Sequence, residues 1–326
     1  MKALVLHKAG DCRYEKNWPE PKPKKGLVLV KVKYSGICGS DLPRMMMTGA
    51  YRHPIICGHE FMGETKKGDI VAVLPLIPCF KCSACNEQQY FHCKSYDFLG
   101  SRIDGGFAQY CLVPEKNLFL LPKEMDKRYG VFIEPLSVAL HVVRNSGFKV
   151  GQKALIFGAG AIGILIGMWL KIFGARQITI VDLRKESLEI AFKSGFNEVV
   201  NPQDKHFQKY QDYDVCFEAA GSGLALLSAL EKAKRCGGVT VVGRDTKDIN
   251  IPHNIFESFM RKEISIYGCW GYNNTGENEF IYQMLKENRF NFEPLITHTI
   301  ALSEGEKTIK QMFNKEIFFC KAIFAI

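Results

Sequence analysis

The sequence predicts an α/β protein in which a β-rich domain precedes a doubly wound parallel sheet. Short apolar runs bounded by Gly, Pro or Lys dominate the first third of the chain, as is typical of a β domain. From about residue 150 apolar strands alternate with helical patterns, which indicates a parallel sheet with helices on both faces. A chain of 326 residues is long enough for two domains.

The β-rich domain is placed at residues 1–138 and 280–326, and the parallel-sheet domain at 139–279. The tail is expected to return to the first domain because it ends in another apolar strand, 317–324. Pro19, Pro21 and Pro23 favour an extended connection near the start. Strands of the β-rich domain are predicted at 1–7, 27–32, 70–74 and 107–113.

The alternating part begins with a strand over 153–157 and a helix over 161–173 that is apolar nearly all round until Lys171. A helix of that kind should be buried. The pattern continues with strands at 178–181, 215–218 and 239–242 and with a helix at 185–194.

The segment between the first strand and the first helix has the pattern G-x-G-x-x-G. It contains Gly158, Gly160, Ile162 and Gly163. Glycines let the backbone approach a pyrophosphate, and the positive end of the helix attracts its charge. The pattern alone is weak, but its place between a strand and a helix is the context that predicts a dinucleotide site.

The residues after the next strand bear on which dinucleotide binds. Asp182 can bond the ribose hydroxyls and would repel a 2′-phosphate, which favours NAD. Arg184 and Lys185 follow at once and would favour NADP. We expect NAD, with NADP as the alternative.

The bulk composition excludes several classes. The chain is 47% hydrophobic and 24% charged, which is ordinary for a globular protein. It has neither a signal-peptide core at its start nor an uncharged run of transmembrane length, so we expect a cytoplasmic protein without a membrane partner. The net charge of +9 carries no basic run with interleaved aromatics, which argues against nucleic acid.

Four of the twelve cysteines form one tight cluster. The spacing C-x2-C-x2-C-x7-C brings together Cys79, Cys82, Cys85 and Cys93. Four thiolates can close a tetrahedral zinc shell, which describes a structural site. Two disulfides would be the alternative, but a chain without a secretion signal more often keeps such cysteines as metal ligands.

A second set offers mixed donors. Cys38 lies in a Gly-rich loop, His59 and Glu60 are adjacent, and Glu134 lies in an apolar stretch where an unpaired carboxylate would be costly. Sulfur, nitrogen and oxygen donors together are typical of a zinc site that keeps one position open. A helix N-terminal acid before a proline is the alternative reading of Glu134.

Taken together, these motifs resemble the zinc-containing medium-chain alcohol and polyol dehydrogenases over nearly the whole chain. The resemblance rests on the sequences Gly58-His59-Glu60 and Glu134-Pro135, on the four-cysteine cluster and on the glycine loop. It implies a GroES-like catalytic domain, a Rossmann domain, one catalytic and one structural zinc, and a homo-oligomer.

The resemblance also implies roles for single residues. Cys38, His59, Glu60 and Glu134 would surround the catalytic zinc, directly or through water, and the four clustered cysteines would hold the structural zinc. Ser40 matches the hydroxyl that relays the substrate proton, and Glu60 and Glu134 are further catalytic candidates. Asp41 would orient His59, as metal-bound imidazoles commonly require.

The sequence departs from the family at two places. Many relatives have a histidine five residues after the catalytic cysteine, where this chain has Pro43, so the proton relay must end on water or another group. The segment 61–69 is shorter than its counterpart in the family, and this trimming could loosen the nearby metal site.

The substrate class is predicted from two arginines and two aromatic residues. Arg44 and Arg102 lie in stretches that resemble family members acting on polyol phosphates, and guanidinium can bind phosphate bidentately. Trp270 and Tyr272 are candidates to line the substrate site, or else they lie at an oligomer interface or are packing residues. A polyol phosphate is therefore expected, with a free polyol or a threonine-type substrate as alternatives.

Two other kinds of protein remain possible from the sequence. A zinc-stabilised binding module would need neither the mixed donor set nor the glycine loop. An inactive relative is opposed by the complete set of ligand residues and favoured by the trimmed segment. Zinc content and NAD-linked turnover would separate these readings.

Overall fold

The computed structural model describes residues 1–245, 247–272 and 276–326. The chain forms two compact units, one of Met1–Glu134 with Asn273–Ile326 and one of Pro135–Tyr272. The predicted domains were 1–138 with 280–326, and 139–279. The first boundary between the units falls inside one helix, Ile133–Asn145, and the second follows Tyr272, so both lie a few residues before the predicted boundaries.

The first unit is built mainly of short strands. In chain order its elements up to residue 120 are β1 (Ala3–Lys8), β2 (Asp11–Glu15), β3 (Leu27–Ile37), α1 (Asp41–Pro43) with a π-helical turn (Arg44–Thr48), β4 (Ile55–Ile56), β5 (Glu60–Thr65), β6 (Ile70–Val73), β7 (Leu76–Ile77), α2 (Ser83–Asn86), β8 (Asp97–Phe98), β9 (Tyr110–Pro114) and β10 (Leu118–Leu120).

The second unit begins within α3 (Ile133–Asn145). Its further elements are β11 (Lys153–Phe157), α4 (Ala161–Ile172), β12 (Gln177–Val181), α5 (Lys185–Lys193), β13 (Glu198–Val200), β14 (Tyr213–Glu218), α6 (Gly223–Lys232), β15 (Ala233–Val241), α7 (His253–Arg261) and β16 (Ser265–Gly268). The chain then returns to the first unit as α8 (Glu277–Lys286), β17 (Ile296–Ala301), α9 (Gly305–Phe313) and β18 (Lys321–Ala325).

Short 3₁₀ turns link several of these elements. They lie at Tyr90–His92, Glu115–Asn117, Lys127–Phe132, Phe207–Lys209, Glu293–Leu295 and Leu302–Glu304.

Strand β3 organises the first unit. It lies between β5 and β18 in a seven-stranded sheet of order β10-β6-β5-β3-β18-β17, and β9 also pairs with it. A smaller sheet, β2-β1-β4, and a two-stranded sheet, β7-β8, complete the described strands of this unit. Apolar side chains such as Val30, Val32, Phe61 and Val113 form a core on the larger sheet.

The second unit is a six-stranded parallel sheet of order β13-β12-β11-β14-β15-β16. Helix α4 is buried along most of its length, as its apolar sequence predicts. One side of the sheet packs on a core that includes Leu155, Phe157, Val181 and Cys216.

Two strands begin three or more residues later than the sequence predicts. The strand expected from residue 107 begins at Tyr110, because Phe107 bonds through its backbone to Leu4 and Cys57 outside the β3 ladder. The final strand begins at Lys321, not at 317, because α9 ends at Phe313 and a turn follows. No helix in the described part of the chain is long and apolar enough to cross a membrane.

The trimmed segment forms a closed hairpin. Strands β5 and β6 are joined by residues 66–69, and the Thr65 N–H donates to the Asp69 carbonyl at 3.0 Å. The Thr65 hydroxyl accepts from the N–H groups of Lys67 and Asp69 at 3.2 Å. These bonds satisfy the polar groups of the turn within the turn itself. Glu60 stands at the opposite end of β5, so the turn lies away from the predicted ligand pair.

Candidate functional site

The mixed donor set of the sequence meets at one end of strand β3. Cys38 follows β3, and His59 and Glu60 lie where β5 begins, because Gly36 pairs with Glu60 across the two antiparallel strands. One ligand atom from each of Cys38, His59 and Glu60 can be chosen so that all lie within 4.8 Å of one another. Sulfur, nitrogen and oxygen donors at this spacing fit a zinc ion with an open position.

Asp41 contacts two residues of this set, His59 and Cys38, and also binds Arg44. Its Oδ1 lies 3.3 Å from His59 Nδ1, without the alignment of a hydrogen bond, and its Oδ2 accepts from the Cys38 N–H at 3.0 Å. Arg44 donates to the same carboxylate at 2.7 Å. Burial alone would raise the pKa of Asp41, but the charges of His59 and Arg44 outweigh burial and lower it. Arg44 is thus paired with a buried acid, although the sequence made it a phosphate ligand.

The predicted proton relay starts beside the thiol. Ser40 is exposed, and its hydroxyl donates to Cys38 Sγ at 3.3 Å. A hydroxyl in this position can reach both solvent and a molecule seated on the donor set. Pro43 is also exposed and offers no group that could receive the proton.

Glu134 is buried near the set but is not one of the three residues whose ligand atoms meet within 4.8 Å. Burial is the largest cause that raises its pKa, to about 7, and the neighbouring Glu60 charge adds to the shift. A carboxyl group in these surroundings gains from any added positive charge.

One residue of this site was missed from the sequence. Lys321, at the start of β18, is buried and places its Nζ 2.5 Å from Glu60 Oε2. Burial opposes its charge, but the Glu60 carboxylate outweighs burial and raises the pKa of Lys321. The signal available in the sequence was a lysine inside a run of apolar residues, since a buried lysine requires a partner.

The four clustered cysteines form a separate site. Cys82 Sγ lies 3.5 Å from Cys85 Sγ, Cys79 Sγ lies 3.9 Å from Cys85 Sγ, and Cys93 Sγ accepts from the Cys79 N–H at 3.3 Å. None of them forms a disulfide. Backbone N–H groups, first that of Cys85, lower the pKa of the Cys82 thiol to about 6. Burial, first among the causes, raises the pKa of the neighbouring Cys85 thiol to about 12. The cluster thus favours a thiolate at Cys82 before any metal arrives, and four thiolates would fit a closed zinc shell.

Arg102 stands on the loop beside His59. The ring of Phe98 packs against the His59 ring at 5.6 Å, and Arg102 follows on the same turn, its N–H donating to the Phe98 carbonyl at 2.9 Å. Its guanidinium lies over the rings of Tyr51 and Tyr96, at 4.0 and 4.5 Å from their centroids. Among the described residues its buried Nε has no hydrogen-bond partner.

The glycine loop of the second unit has the form that a dinucleotide requires. Gly158 has φ +106°, and a Cβ there would lie 2.8 Å from the Ala219 backbone, so only glycine fits. Gly160 is exposed at the start of α4, and a Cβ there would meet nothing within 4 Å. Gly163 and Ile162 lie in the first turn of the same helix. The open cradle at a helix N-terminus fits a pyrophosphate.

Asp182 is fixed beside this loop. Its Oδ2 accepts from the Ala159 N–H and its Oδ1 from the Arg184 N–H, both at 2.8 Å. The carboxylate is half-buried and Arg184 is exposed. The Asp182 carboxylate is therefore held in a defined position.

The two aromatic candidates lie in the second unit after β16. Trp270 is 60% exposed, whereas Tyr272 is buried at 1% exposure. Both residues belong to the second unit, whereas Cys38 and the mixed donor set belong to the first. Their proposed contact with substrate stays a prediction.

Comparison with known proteins identifies the two parts of the chain. Residues 24–123 match the alcohol dehydrogenase GroES-like domain, and residues 161–287 match the zinc-binding dehydrogenase family. Galactitol 1-phosphate 5-dehydrogenase of Escherichia coli K12 is 35% identical over 306 residues, covering 87% of this chain and 88% of that one. Sorbitol dehydrogenase of Bacillus subtilis is 34% identical over 297 residues, covering 84% and 83%.

Solved structures that superpose on this chain are also dehydrogenases. The crystal structure of galactitol-1-phosphate dehydrogenase from Escherichia coli superposes with a TM-score of 0.91 at 31% identity, over 100% of both chains. A zinc-binding dehydrogenase of Sinorhizobium meliloti bound to NADP has a TM-score of 0.92 at 25% identity, over 100% of this chain and 99% of that one. An Escherichia coli alcohol dehydrogenase complexed with NADH has a TM-score of 0.89 at 26% identity, with the same coverage.

These matches confirm the predicted fold class, a GroES-like domain with a Rossmann-type parallel sheet. They also confirm the prediction of an oxidoreductase that acts on alcohols. The chain belongs to the zinc-containing medium-chain alcohol and polyol dehydrogenases.

Proposed function

We propose that this protein oxidises a secondary alcohol of a polyol phosphate, of the galactitol 1-phosphate kind, to a keto-sugar phosphate with NAD⁺. The observation that carries the substrate class is Arg102, whose guanidinium lies over two tyrosine rings and whose loop packs Phe98 against His59 of the mixed donor set. Similarity to an enzyme named for galactitol 1-phosphate supports the same class.

The metal sites divide into two. Cys38 and His59, with Glu60 and Glu134 directly or through water, would hold a catalytic zinc. Cys79, Cys82, Cys85 and Cys93 would hold a structural one. A zinc ion at the first site supplies a Lewis acid that lowers the pKa of a substrate hydroxyl.

The protein's own groups place the substrate and carry its proton. Asp41 orients His59 and the Cys38 backbone, which fixes the donor set before substrate arrives. The Ser40 hydroxyl, exposed and next to Cys38, receives the proton of the reacting hydroxyl and passes it to water. Water is the endpoint because Pro43 carries no side-chain acceptor.

The cofactor is assigned to the glycine loop. Backbone groups of Gly158, Gly160, Ile162 and Gly163 would bind the pyrophosphate, and Asp182 the adenosine ribose. Bound NAD⁺ supplies the hydride acceptor. NAD is preferred over NADP because the fixed carboxylate of Asp182 would repel a 2′-phosphate, while Arg184 is exposed.

Arg102 is a better phosphate ligand than Arg44. Arg44 is already paired with buried Asp41, whereas Arg102 makes no ion pair with a described carboxylate. The two tyrosine rings hold the guanidinium by cation–π contact without using its N–H donors. Those donors are free to bind phosphate bidentately.

A substrate panel tests the proposal. Galactitol 1-phosphate, galactitol and sorbitol would each be assayed with NAD⁺ and NADP⁺. Arg102→Ala should cost about 2–5 kcal/mol of phosphate binding, seen as a higher KM for the phosphate alone. Arg102→Lys should recover part of that loss, because lysine keeps the charge but not the planar fork.

Arg52→Ala is the matched control. Arg52 is a neighbouring arginine whose charge is already paired with Asp104 at 3.0 Å, so its loss should leave the preference for phosphate unchanged. Equal turnover of galactitol and its phosphate by the wild type, with no discrimination lost in Arg102→Ala, would contradict the phosphate assignment.

A free polyol is the second candidate substrate. The similarity to a sorbitol dehydrogenase, at 34% identity, is nearly as high as that to the sugar-phosphate enzyme. Preferential turnover of sorbitol in the same panel would select this alternative. The expected homo-oligomer, a dimer or tetramer, would be measured by sedimentation on the same preparation.

A further inference from the structure

Glu218 is a buried carboxylate at the carboxyl edge of the parallel sheet. It is the last residue of β14 and is 2% exposed. It pairs with Phe157, the last residue of β11, which leads directly into the glycine loop. No step of the proposed reaction uses this acid, although burying a carboxylate is costly unless its oxygens are bonded.

The oxygens of Glu218 bind N–H groups of the loop that follows it, residues 219–222. Oε1 accepts from the Ala220 N–H at 2.9 Å and from the Ser222 N–H at 3.2 Å. Burial is the largest cause that raises the pKa of Glu218, and the surrounding backbone N–H groups, first that of Ser222, oppose it. One side chain therefore fixes the path of the 219–222 loop from within.

The 219–222 loop has no free space on the side of the glycine loop. A Cβ at Gly158 would lie 2.8 Å from the carbonyl carbon and oxygen of Ala219, so the two backbones are in direct contact. A similar contact exists toward β15, because a Cβ at Gly243 would overlap Gly221 N and lie 2.5 Å from Glu218 Oε2. A shift of the carboxylate must therefore move the loop.

The strand order gives the 219–222 loop a place beside the cofactor. The order β13-β12-β11-β14-β15-β16 changes direction between β11 and β14, where sheets of this kind bind dinucleotides. Asp182 follows β12 on one side of the glycine loop, and the 219–222 loop follows β14 on the other. A cofactor with its adenosine ribose on Asp182 and its pyrophosphate on the glycine loop would extend its second ribose toward the 219–222 loop.

We propose that Glu218 is a positioning residue that holds the 219–222 loop in the form that receives the second half of the cofactor, the ribose and nicotinamide beyond the pyrophosphate. The carboxylate acts through the loop backbone and does not touch the cofactor. A loop that is already held in its binding form has little freedom left to lose when the ligand binds. This inference rests on the proposed NAD site.

Glu218→Gln tests the role with little change in size. The amide has an NH2 group where the carboxylate has an oxygen, so it leaves at least one loop N–H facing another donor. Glu198→Gln is the matched control. Glu198 is the first residue of β13 and accepts from the Gln177 and Thr179 side chains at 2.7 Å, at the end of its strand opposite to the cofactor loops.

The readout is the binding of AMP and of ADP-ribose, measured by calorimetry without substrate. AMP contains the adenosine ribose and one phosphate, whereas ADP-ribose adds the second phosphate and the second ribose. Glu218→Gln should weaken ADP-ribose binding about tenfold or more, since an N–H group left without its acceptor costs about that much. AMP affinity should stay within about twofold of the wild-type value, because AMP does not reach the loop.

Gly243→Ala perturbs the same carboxylate from the other side and keeps the test decisive if Glu218→Gln does not fold. It should show the same selective loss of ADP-ribose affinity. Gly268→Ala is its control, because a Cβ at the end of β16 would meet nothing within 4 Å. Both controls should bind the two nucleotides as the wild type does.

Equal weakening of AMP and ADP-ribose in Glu218→Gln and Gly243→Ala would indicate a general loss of structure and overturns the proposal. Unchanged binding of both nucleotides by these variants overturns it as well. Failure of the cofactor site gives a different result. Wild-type protein that binds neither nucleotide, or an Asp182→Ala variant that binds both as tightly as the wild type, overturns the proposed NAD site and with it this role for Glu218.

Discussion

Asp41 Oδ1 lies 3.3 Å from His59 Nδ1, and both side chains are buried. The same carboxylate binds the Cys38 N–H and the Arg44 guanidinium, so one acid connects two donors of the mixed set to a cation. Metal-binding imidazoles depend on such partners for their orientation. The site is therefore supported before any metal arrives.

Asp41→Asn should weaken metal binding at the mixed set by about 10–100-fold, because it removes the charge that orients His59 and neutralises Arg44. Zinc content after dialysis against a chelator measures the effect. Asp11→Asn serves as control, since Asp11 pairs with Arg13 at 2.7 Å on a surface strand. Full zinc retention in Asp41→Asn would show that the contact has no orienting role.

Cys38→Ser and Cys82→Ser should have opposite consequences. Cys38→Ser should abolish turnover and leave the melting temperature close to that of the wild type, because the open site serves chemistry. Cys82→Ser should lower the melting temperature by about 5 °C or more, the shift that about 2 kcal/mol produces in a unit of this size. Calorimetry and turnover on both proteins test the division. Loss of stability alone in both variants would refute it.

Asp182→Ala should relax discrimination against NADP, because it removes the carboxylate that repels the 2′-phosphate. The ratio of kcat/KM for NADP to that for NAD is the appropriate measure. The substitution also removes the hydrogen bonds from the Ala159 and Arg184 N–H groups. Their loss should weaken the binding of both cofactors, so this effect largely cancels in the ratio. A wild type that already prefers NADP would show that Arg184 and Lys185 decide the choice.

Asp214 should stabilise the second unit in a pH-dependent way. Burial raises its pKa, but hydrogen bonds from Lys234 and the Lys153 N–H outweigh burial and lower the pKa below 3.8. The stabilisation is therefore fully present above about pH 4 and is lost as the pH falls through the folded-state pKa. Asp214→Asn should cost about 1–3 kcal/mol at pH 7.

The difference in melting temperature between wild type and Asp214→Asn should shrink as the pH falls below 4, because the native carboxylate becomes protonated. Asp212→Asn, at the neighbouring exposed position, is the control. A difference that stays constant between pH 7 and pH 3 would mean that charge is not the cause.

The sequence by itself determined the parts whose signals are local. The parallel sheet follows from apolar strands alternating with helices, and β11 was predicted with the bounds it has. The glycine loop and the four-cysteine cluster were visible because their chemistry lies within a few consecutive residues. Periodicity and spacing are sufficient where the interacting groups are near in the chain.

Only the tertiary structure decided which distant charges meet. Lys321 lies 261 residues from Glu60 in sequence, and the register of β18 and β5 on either side of Gly36 brings them together. The partners of the two candidate arginines were likewise undetermined, since Asp41 takes Arg44 while Tyr51 and Tyr96 hold Arg102. A buried charge pairs with a group that is near it in the folded protein, however distant in sequence. Strand register determines which groups are near, and register depends on the whole sheet.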